Sequence, residues 1–308
     1  MKKTALLASL LLASCSYVEP RSSSSESIGH LRDEAPVVEN SYLGQTPPGL
    51  TPEIFAPGIV SIDGRSESTI SVSPDLDEVY FHASIESAKP AIYFSRLEGG
   101  KWTPVKKAVF TKGKKDEEVH PFVSSDGNRI YFTAYSSTAF DTGIWYVNKL
   151  DRSWSDAIKL ELPIGDDKAF GFNQARSGNL YYFNISKQQN SYAAYSDDGS
   201  LQVTEFAIEP GVFHVFTSPN EDYFVAHGPS NLDGDREDRD VYVSFRKEDG
   251  NWGMPINLGS AVNTASGESV PTISPDGQYL FFGREEDDGT ANIYWVSTEV
   301  IERIRPGT

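Results

Sequence analysis

The feature that most constrains this chain is a turn-centred unit that recurs from residue 51 onward. Its clearest copy runs from Glu268 to Phe282, where Glu-Ser-Val-Pro-Thr-Ile, Ser-Pro-Asp-Gly and Tyr-Leu-Phe-Phe read as a strand, a turn and a second strand. Pro275 at the second turn position and Gly277 at the fourth suit a type I turn. Ser73-Pro74-Asp75 with Val79-Tyr80-Phe81 repeats the unit, as do Ser124-Ser125-Asp126-Gly127 with Ile130-Tyr131-Phe132 and Ser218-Pro219-Asn220 with Tyr223-Phe224-Val225. Arg176-Ser177-Gly178 with Tyr181-Tyr182-Phe183 is a degenerate fifth copy. A period of about 43 to 56 residues belongs to arrays of one supersecondary unit, in which each copy buries its apolar face against the next.

Each copy continues in register. An alternating strand follows the turn at Ile92-Tyr93-Phe94, Ile144-Trp145-Tyr146, Val241-Tyr242-Val243 and Ile293-Tyr294-Trp295, and Trp102, Trp154 and Trp252 mark a further short strand in three copies. Four short strands per repeat, with no helical period, predict an all-β fold: a β-propeller of five four-stranded blades. A sixth blade requires a copy hidden in residues 184–212, where the pattern is weakest. The last copy lacks its outer strand, and Leu50-Thr51-Pro52-Glu53-Ile54-Phe55 imitates the missing piece, so the ring is expected to close by pairing of this N-terminal strand with the last blade.

The Ser-Pro-Asp-Gly, Ile-Tyr and Trp-x-x-Pro signals resemble the WD40-like (PD40) repeats of the TolB-like propeller family, over roughly residues 51–300. The resemblance implies architecture. Members of that repeat family serve as binding scaffolds, translocation components and parts of enzymes, so function has to be argued from the site.

The N-terminus gives an address. Met1-Lys2-Lys3, an apolar run from Thr4 to Leu12 and small residues before a cysteine form a signal peptide over residues 1–14. The apolar run falls short of the roughly 18 to 20 residues that a membrane span needs. Leu12-Ala13-Ser14-Cys15 resembles the lipobox of bacterial lipoproteins, which implies cleavage before Cys15 and acylation (palmitate) of that residue. Ser16 in place of Asp implies sorting to the outer membrane, with the membrane contacted through the lipid on Cys15. Cys15 is the only cysteine, which excludes an intramolecular disulfide. Residues 15–50, with Ser22-Ser23-Ser24-Ser25 and Pro47-Pro48, read as a flexible tether, and residues 51–308 as the propeller domain.

The chain carries a net charge of −17. Removing residues 1–14 takes away Lys2 and Lys3 and no acid, which leaves −19. Such a surface argues against nucleic acid or anionic lipid headgroups as the main partner, and an envelope protein or glycan is the expected partner.

Aligning the copies on the turn brings columns of the first strand together. Glu67, Glu118, Ala169, Val212 and Glu268 form one; Thr69, His120, Gly171, His214 and Val270 form another; Ile70, Pro121, Phe172, Val215 and Pro271 form an apolar third, expected between blades. Glu67, Glu118, Glu268, His120 and His214 are therefore expected at one mouth of the central channel. There they suit a divalent cation or a polar ligand. The glutamates equally suit acceptors for backbone amides at the turns leading into each inner strand.

A second candidate is the loop Asn231–Asp240, where Asp233, Asp235 and Asp238 surround Gly234 in the manner of a calcium loop. It departs from the EF-hand pattern, and Arg236 and Arg239 supply counter-charges that suit a solvated turn. The chain has no Gly-x-Ser-x-Gly, no His-Glu-x-x-His and no glycine-rich phosphate loop. No organic cofactor is implied. The expected function is that of a non-enzymatic, protein- or ligand-binding scaffold of the cell envelope. The alternative is a glycan-active hydrolase or lyase, with Glu67, Glu118 and Glu268 as its acid and base and two carboxylates roughly 5 to 10 Å apart across an open pocket.

Overall fold

Five antiparallel sheets follow one another along the chain in the computed structural model, which describes residues 41–85, 88–136, 141–206, 208, 211–230 and 238–307. Blade 1 comprises β2 (Ser66–Val72), β3 (Glu78–Ile85), β4 (Ala88–Glu98) and two short outer pieces, β5 (Lys101–Trp102) and β6 (Lys106–Lys107). Blade 2 comprises β7 (Glu117–Val123), β8 (Arg129–Ser136), β9 (Asp141–Asn148) and β10 (Ile158–Lys159). Blade 3 comprises β11 (Ala169–Gln174), β12 (Leu180–Asn184), β13 (Gln189–Tyr195) and β14 (Leu201–Phe206). Blade 4 comprises β15 (Phe213–Thr217), β16 (Tyr223–Pro229), β17 (Arg239–Phe245) and β18 (Ile256–Asn257). Blade 5 comprises β19 (Glu268–Ile273), β20 (Tyr279–Glu285), β21 (Ala291–Ser297) and, from the other end of the chain, β1 (Glu53–Ile54).

The first strands pack in sequence, β2 on β7, β7 on β11, β11 on β15, β15 on β19 and β19 back on β2, so the array is a closed ring of five. Each sheet is covered on both faces by its neighbours. That is why the second strands, such as Val79-Tyr80-Phe81 and Leu280-Phe281-Phe282, are continuous apolar runs rather than alternating ones. A separate apolar core fills each of the five junctions.

The repeated turn has a chemical basis. In blade 5, Ser274 Oγ donates to Asp276 Oδ1 at 2.5 Å and accepts from Tyr279 N at 2.9 Å, while Gln278 N donates to Asp276 Oδ1 at 3.0 Å. Gly277 takes φ 76°, and its N–H closes the turn on Ser274 O at 2.9 Å. Blade 2 repeats this with Ser124, Asp126 and Gly127. In blades 1 and 4, Leu76 (φ 59°) and Glu221 (φ 58°) hold the left-handed position. Glu221 is retained against that strain by a second role, since its carboxylate accepts from Ser177 Oγ at 2.6 Å, Asn179 Nδ2 at 2.9 Å and Tyr181 Oη at 2.5 Å and so fastens blade 4 to blade 3.

Closure takes the predicted form: Glu53 pairs with Trp295 and Ile54 with Tyr294. Phe55 N donates to Ile293 O at 2.7 Å, and the Phe55 ring, fully buried, packs edge-on against Phe281 and Trp295 with centroids 5.1 Å away in each case. The folded part begins before the expected boundary at residue 51. Tyr42 is buried against Tyr279, Phe281 and Trp295 and donates to Asp276 Oδ2 at 2.8 Å, and Gln45 brackets Ile54 O and Ala56 N. An aromatic ring with a buried partner shell holds residues 41–50 on blade 5, despite a composition that reads as linker. At the far end α1 (Glu299–Glu302) buries Val300 and Ile301 in the core between blades 4 and 5.

Phe55→Ala is expected to cost about 3 to 5 kcal/mol in urea unfolding, the range for deleting a fully buried phenylalanine. A loss below about 1 kcal/mol would mean that the ring holds without its N-terminal strand.

Candidate functional site

All five inner strands break register at the same place, between Glu67 and Ile70, Val119 and Phe122, Phe170 and Asn173, Phe213 and Phe216, and Ser269 and Thr272. The backbone is left-handed there in four of them: His120 at φ 52°, Gly171 at 58°, His214 at 53° and Val270 at 27°. Glycine adopts this region without strain, whereas a histidine, and still more a β-branched valine, does so at a cost of about 1 to 3 kcal/mol. A bulge of this kind re-aims side chains. Here it turns consecutive residues toward the axis, so that His120 with Pro121, Gly171 with Phe172, His214 with Val215 and Val270 with Pro271 line one pocket together with Thr69. The apolar column expected between blades therefore faces the channel in four blades. Phe172 and Val215 also belong to the cores between blades 2 and 3 and between blades 3 and 4, and Ile70 packs between blades 5 and 1, so these three hold the expected inter-blade place.

His120 and His214 are joined by two histidines that a reading of the first strands alone overlooks. His82 lies on β3 and His227 on β16, and both are buried. Ring centroids are 5.9 Å apart for His82 and His120, 5.9 Å for His120 and His214, and 4.7 Å for His214 and His227. The four imidazoles thus run from blade 1 across the ring to blade 4. Phe170 wedges against His120 at 4.5 Å and His214 at 5.3 Å, and Val119, Phe183 and Ile185 cluster around it beside this layer. The overlooked pair had a signal in the sequence. Nine residues after the start of each turn stand His82, Thr133, Asn184, His227 and Gly283, a polar or small column inside otherwise apolar second strands.

Ser68 Oγ lies 2.8 Å from His82 Nδ1, and Thr69 Oγ1 lies 3.3 Å from His120 Nδ1. His120 Nε2 and His214 Nδ1 are buried without a hydrogen-bond partner among the described residues. Burial pushes the pKa of His82 and of His214 down to about 4. His120 and His227 also fall well below the ordinary histidine range, through burial first and then through repulsion from the other imidazoles.

The three glutamates do not join this layer. Glu118 accepts from Phe110 N at 3.0 Å, Thr111 N at 2.7 Å and Thr111 Oγ1 at 2.6 Å. Glu268 accepts from Thr264 N at 3.0 Å, Thr264 Oγ1 at 2.6 Å and Arg284 Nε at 3.0 Å. Glu67 pairs with Arg65, whose other arm donates to Val60 O at 2.7 Å, as Arg284 does to Val262 O. Each carboxylate therefore clamps the connector that leads into its own inner strand. They are absent from the residues lining the channel. Burial lifts the Glu67 carboxyl to about 7 against the pull of Arg65, and raises that of Glu268 against Thr264 and Arg284.

The pocket has room for a water or two. At the end of the ring that carries the turns, Arg176 of blade 3 donates to Asn220 Oδ1 and to Pro275 O, each at 2.9 Å, and straps blades 4 and 5. Among the described residues no three His, Cys, Asp or Glu side chains are placed to hold a metal ion. Of the candidate calcium loop, Asp233 and Asp235 lie outside the described residues, as does Cys15, and Asp238 is half-buried beside β17.

Two outcomes follow from this geometry. Glu118→Ala strands buried donors and is expected to cost about 2 to 4 kcal/mol in urea unfolding, with Glu118→Gln losing less. A change below about 0.5 kcal/mol would return this carboxylate to a ligand-binding role. The histidines make the fold acid-sensitive. Below pH 6.5 the unfolded chain takes up protons that the buried rings refuse, so stability is lost as pH falls from 6.5 toward 4, by on the order of 3 kcal/mol for each of His82 and His214. Glu67, between 4.5 and 7, and Glu268 work in the opposite sense, as two groups against four. A His120→Gly/His214→Gly variant, with glycine at two left-handed positions, is expected to flatten the pH dependence of urea unfolding; an unchanged slope would remove these rings as its source.

No family model and no curated protein matches the chain. Solved structures do. A protein of unknown function from Dyadobacter fermentans matches with a TM-score of 0.50 and 13% identity over 83% of this chain and 84% of that one. A putative TolB from Agrobacterium tumefaciens gives 0.47 and 15% over 76% and 78%. TolB from Acinetobacter baumannii gives 0.45 and 18% over 74% and 53%, so the match spans about half of that protein's length. At such identities the likeness is one of fold.

Proposed function

We propose that the chain is a binding propeller of the bacterial cell envelope, anchored by lipid on Cys15, which holds another protein on the end of the ring where the inner strands begin. The observation that carries this reading is a set of exposed isoleucines at that end. Ile59 (44% exposed) and Ile62 (37%) lie on the connector between β1 and β2, and Ile85 (44%) ends β3 in the adjoining blade. Single exposed apolar residues are ordinary, but several on neighbouring loops at one end suit a protein-binding surface.

The closed centre supports the same reading. The channel pocket lined by His120, His214 and Pro271 has room for a water or two and not for a sugar ring, which favours recognition on a face of the ring. Glycan hydrolysis needs two carboxylates about 5 to 10 Å apart across an open pocket. Glu67, Glu118 and Glu268 are each engaged by their own connectors instead. Among the described residues no helix is long and apolar enough to cross a membrane, and the lipid on Cys15 is the proposed attachment.

A photo-crosslinking residue at position 62, introduced into the full chain in its native envelope, is expected to give a discrete protein adduct. The adduct should vanish when Ile59 and Ile85 are changed to Asp, at an unchanged melting temperature. Cys15→Ser should abolish incorporation of labelled palmitate into the chain. Absence of any adduct, together with release of sugar from envelope glycan by the purified chain, would replace the scaffold reading with the enzymatic one.

A further inference from the structure

The acidic net charge conceals one basic region. Residues 101–115 contain six lysines and no acidic residue, within a chain of net charge −17. The fold gathers these lysines with others on the outer rim where blade 1 meets blade 2. Lys112 Nζ reaches Asp156 Oδ1 at 2.5 Å and Lys115 pairs with Asp141, which ties the connector between β6 and β7 to the second blade. Lys114 lies close enough to act electrostatically on Asp156, as do Lys159 and Lys168 on Asp141. Five ammonium groups thus act on Asp141 and Asp156, and Asp116 beside them is paired with Lys89. Lys106, Lys107, Lys114 and Lys159 are exposed and take part in no ion pair among the described residues. Two aliphatic side chains stand among them, Val109 at 55% exposed and Ile158 at 43%.

We propose that this rim seats against the headgroups of an anionic lipid bilayer. Exposed lysines near an anionic leaflet are attracted over about one Debye length, some 8 Å at physiological salt, and acids farther than that from the leaflet are screened. The attraction is therefore one-sided and sets an orientation. A soluble polyanion would use the charges alone. Val109 and Ile158 gain from the contact only where a hydrocarbon interior lies beneath the charged layer. The contact does not depend on the lipid at Cys15 or on the isoleucine surface, so it can be tested without either.

The experiment is co-sedimentation of the mature chain, residues 15–308 carrying Cys15→Ser, with vesicles of phosphatidylcholine, alone or with phosphatidylglycerol at about one part in three. Binding is expected only to the anionic vesicles and is expected to fall as salt rises. K114E/K159E should weaken it about tenfold or more. V109S/I158S should weaken it at unchanged charge, and both variants should melt like the parent because the residues are exposed. Equal binding to both vesicles, or no loss with K114E/K159E, would overturn the proposal. So would binding of soluble polyphosphate as tight as that of vesicles, with V109S/I158S indistinguishable from the parent, because that outcome assigns the rim to a polyanion.

Discussion

Two residues of backbone pairing, Glu53 with Trp295 and Ile54 with Tyr294, decide whether this chain is a ring or an open array. Without them β21 would present an unpaired edge, and the core between blades 5 and 1 would lose Phe55 and the Tyr42 shell that the same segment brings. The other four junctions join blades adjacent in sequence. The fifth joins residues about 240 apart, so the entropy of closing the largest loop is met by a single junction. That explains its weight in aromatic rings: Tyr42, Phe55, Phe281 and Trp295 are packed in mutual contact there.

Closing a ring with five blades brings the inner strands near the axis, and regular alternation would send every second side chain into a space without room for it. The shared bulge answers this crowding. It admits small or flat residues at the narrowest level, among them Gly171, Pro121, Pro271 and the imidazoles of His120 and His214, and it accepts left-handed backbone at three residues that carry a Cβ. The strain is maintained because neighbouring strands hold both ends of each bulge by ladder pairs, such as Val119 with Thr133 and Phe122 with Tyr131.

The parts of this architecture legible in the sequence are those fixed by local chemistry. Ser-x-Asp-Gly is readable because a hydroxyl, a carboxylate and a left-handed glycine act within five residues. The closing strand is readable because it copies the apolar and proline pattern of β18. The aim of the glutamates was readable as one of two alternatives, and acceptance from backbone amides at the turns is the one found for Glu118 and Glu268; the choice rested on Thr111, Thr264 and Arg65, which belong to connectors whose paths depend on the ring. That Pro121, Phe172, Val215 and Pro271 also border the channel was hidden for a related reason: a bulge cancels the period-two rule by which inward and outward positions are told apart. His82 and His227 escaped because they approach the axis from the second strands, across the space the bulges open.

The withdrawal of the glutamates and the neutrality of the histidines are a single electrostatic fact. A carboxylate facing the channel would favour the charged imidazolium and raise the histidine pKa values. With Glu67, Glu118 and Glu268 turned back into their connectors, the titratable groups acting on His120 are His82 and His214, and those acting on His227 are His214 and His120. Four imidazoles can then share a dry space only as neutral rings, where they pack against Phe170, Phe183 and Phe213 as flat, weakly polar partners. The acids of this chain lie elsewhere, at connectors and on the solvated surface, and the same partition that leaves its centre uncharged leaves the junction of blades 1 and 2 basic.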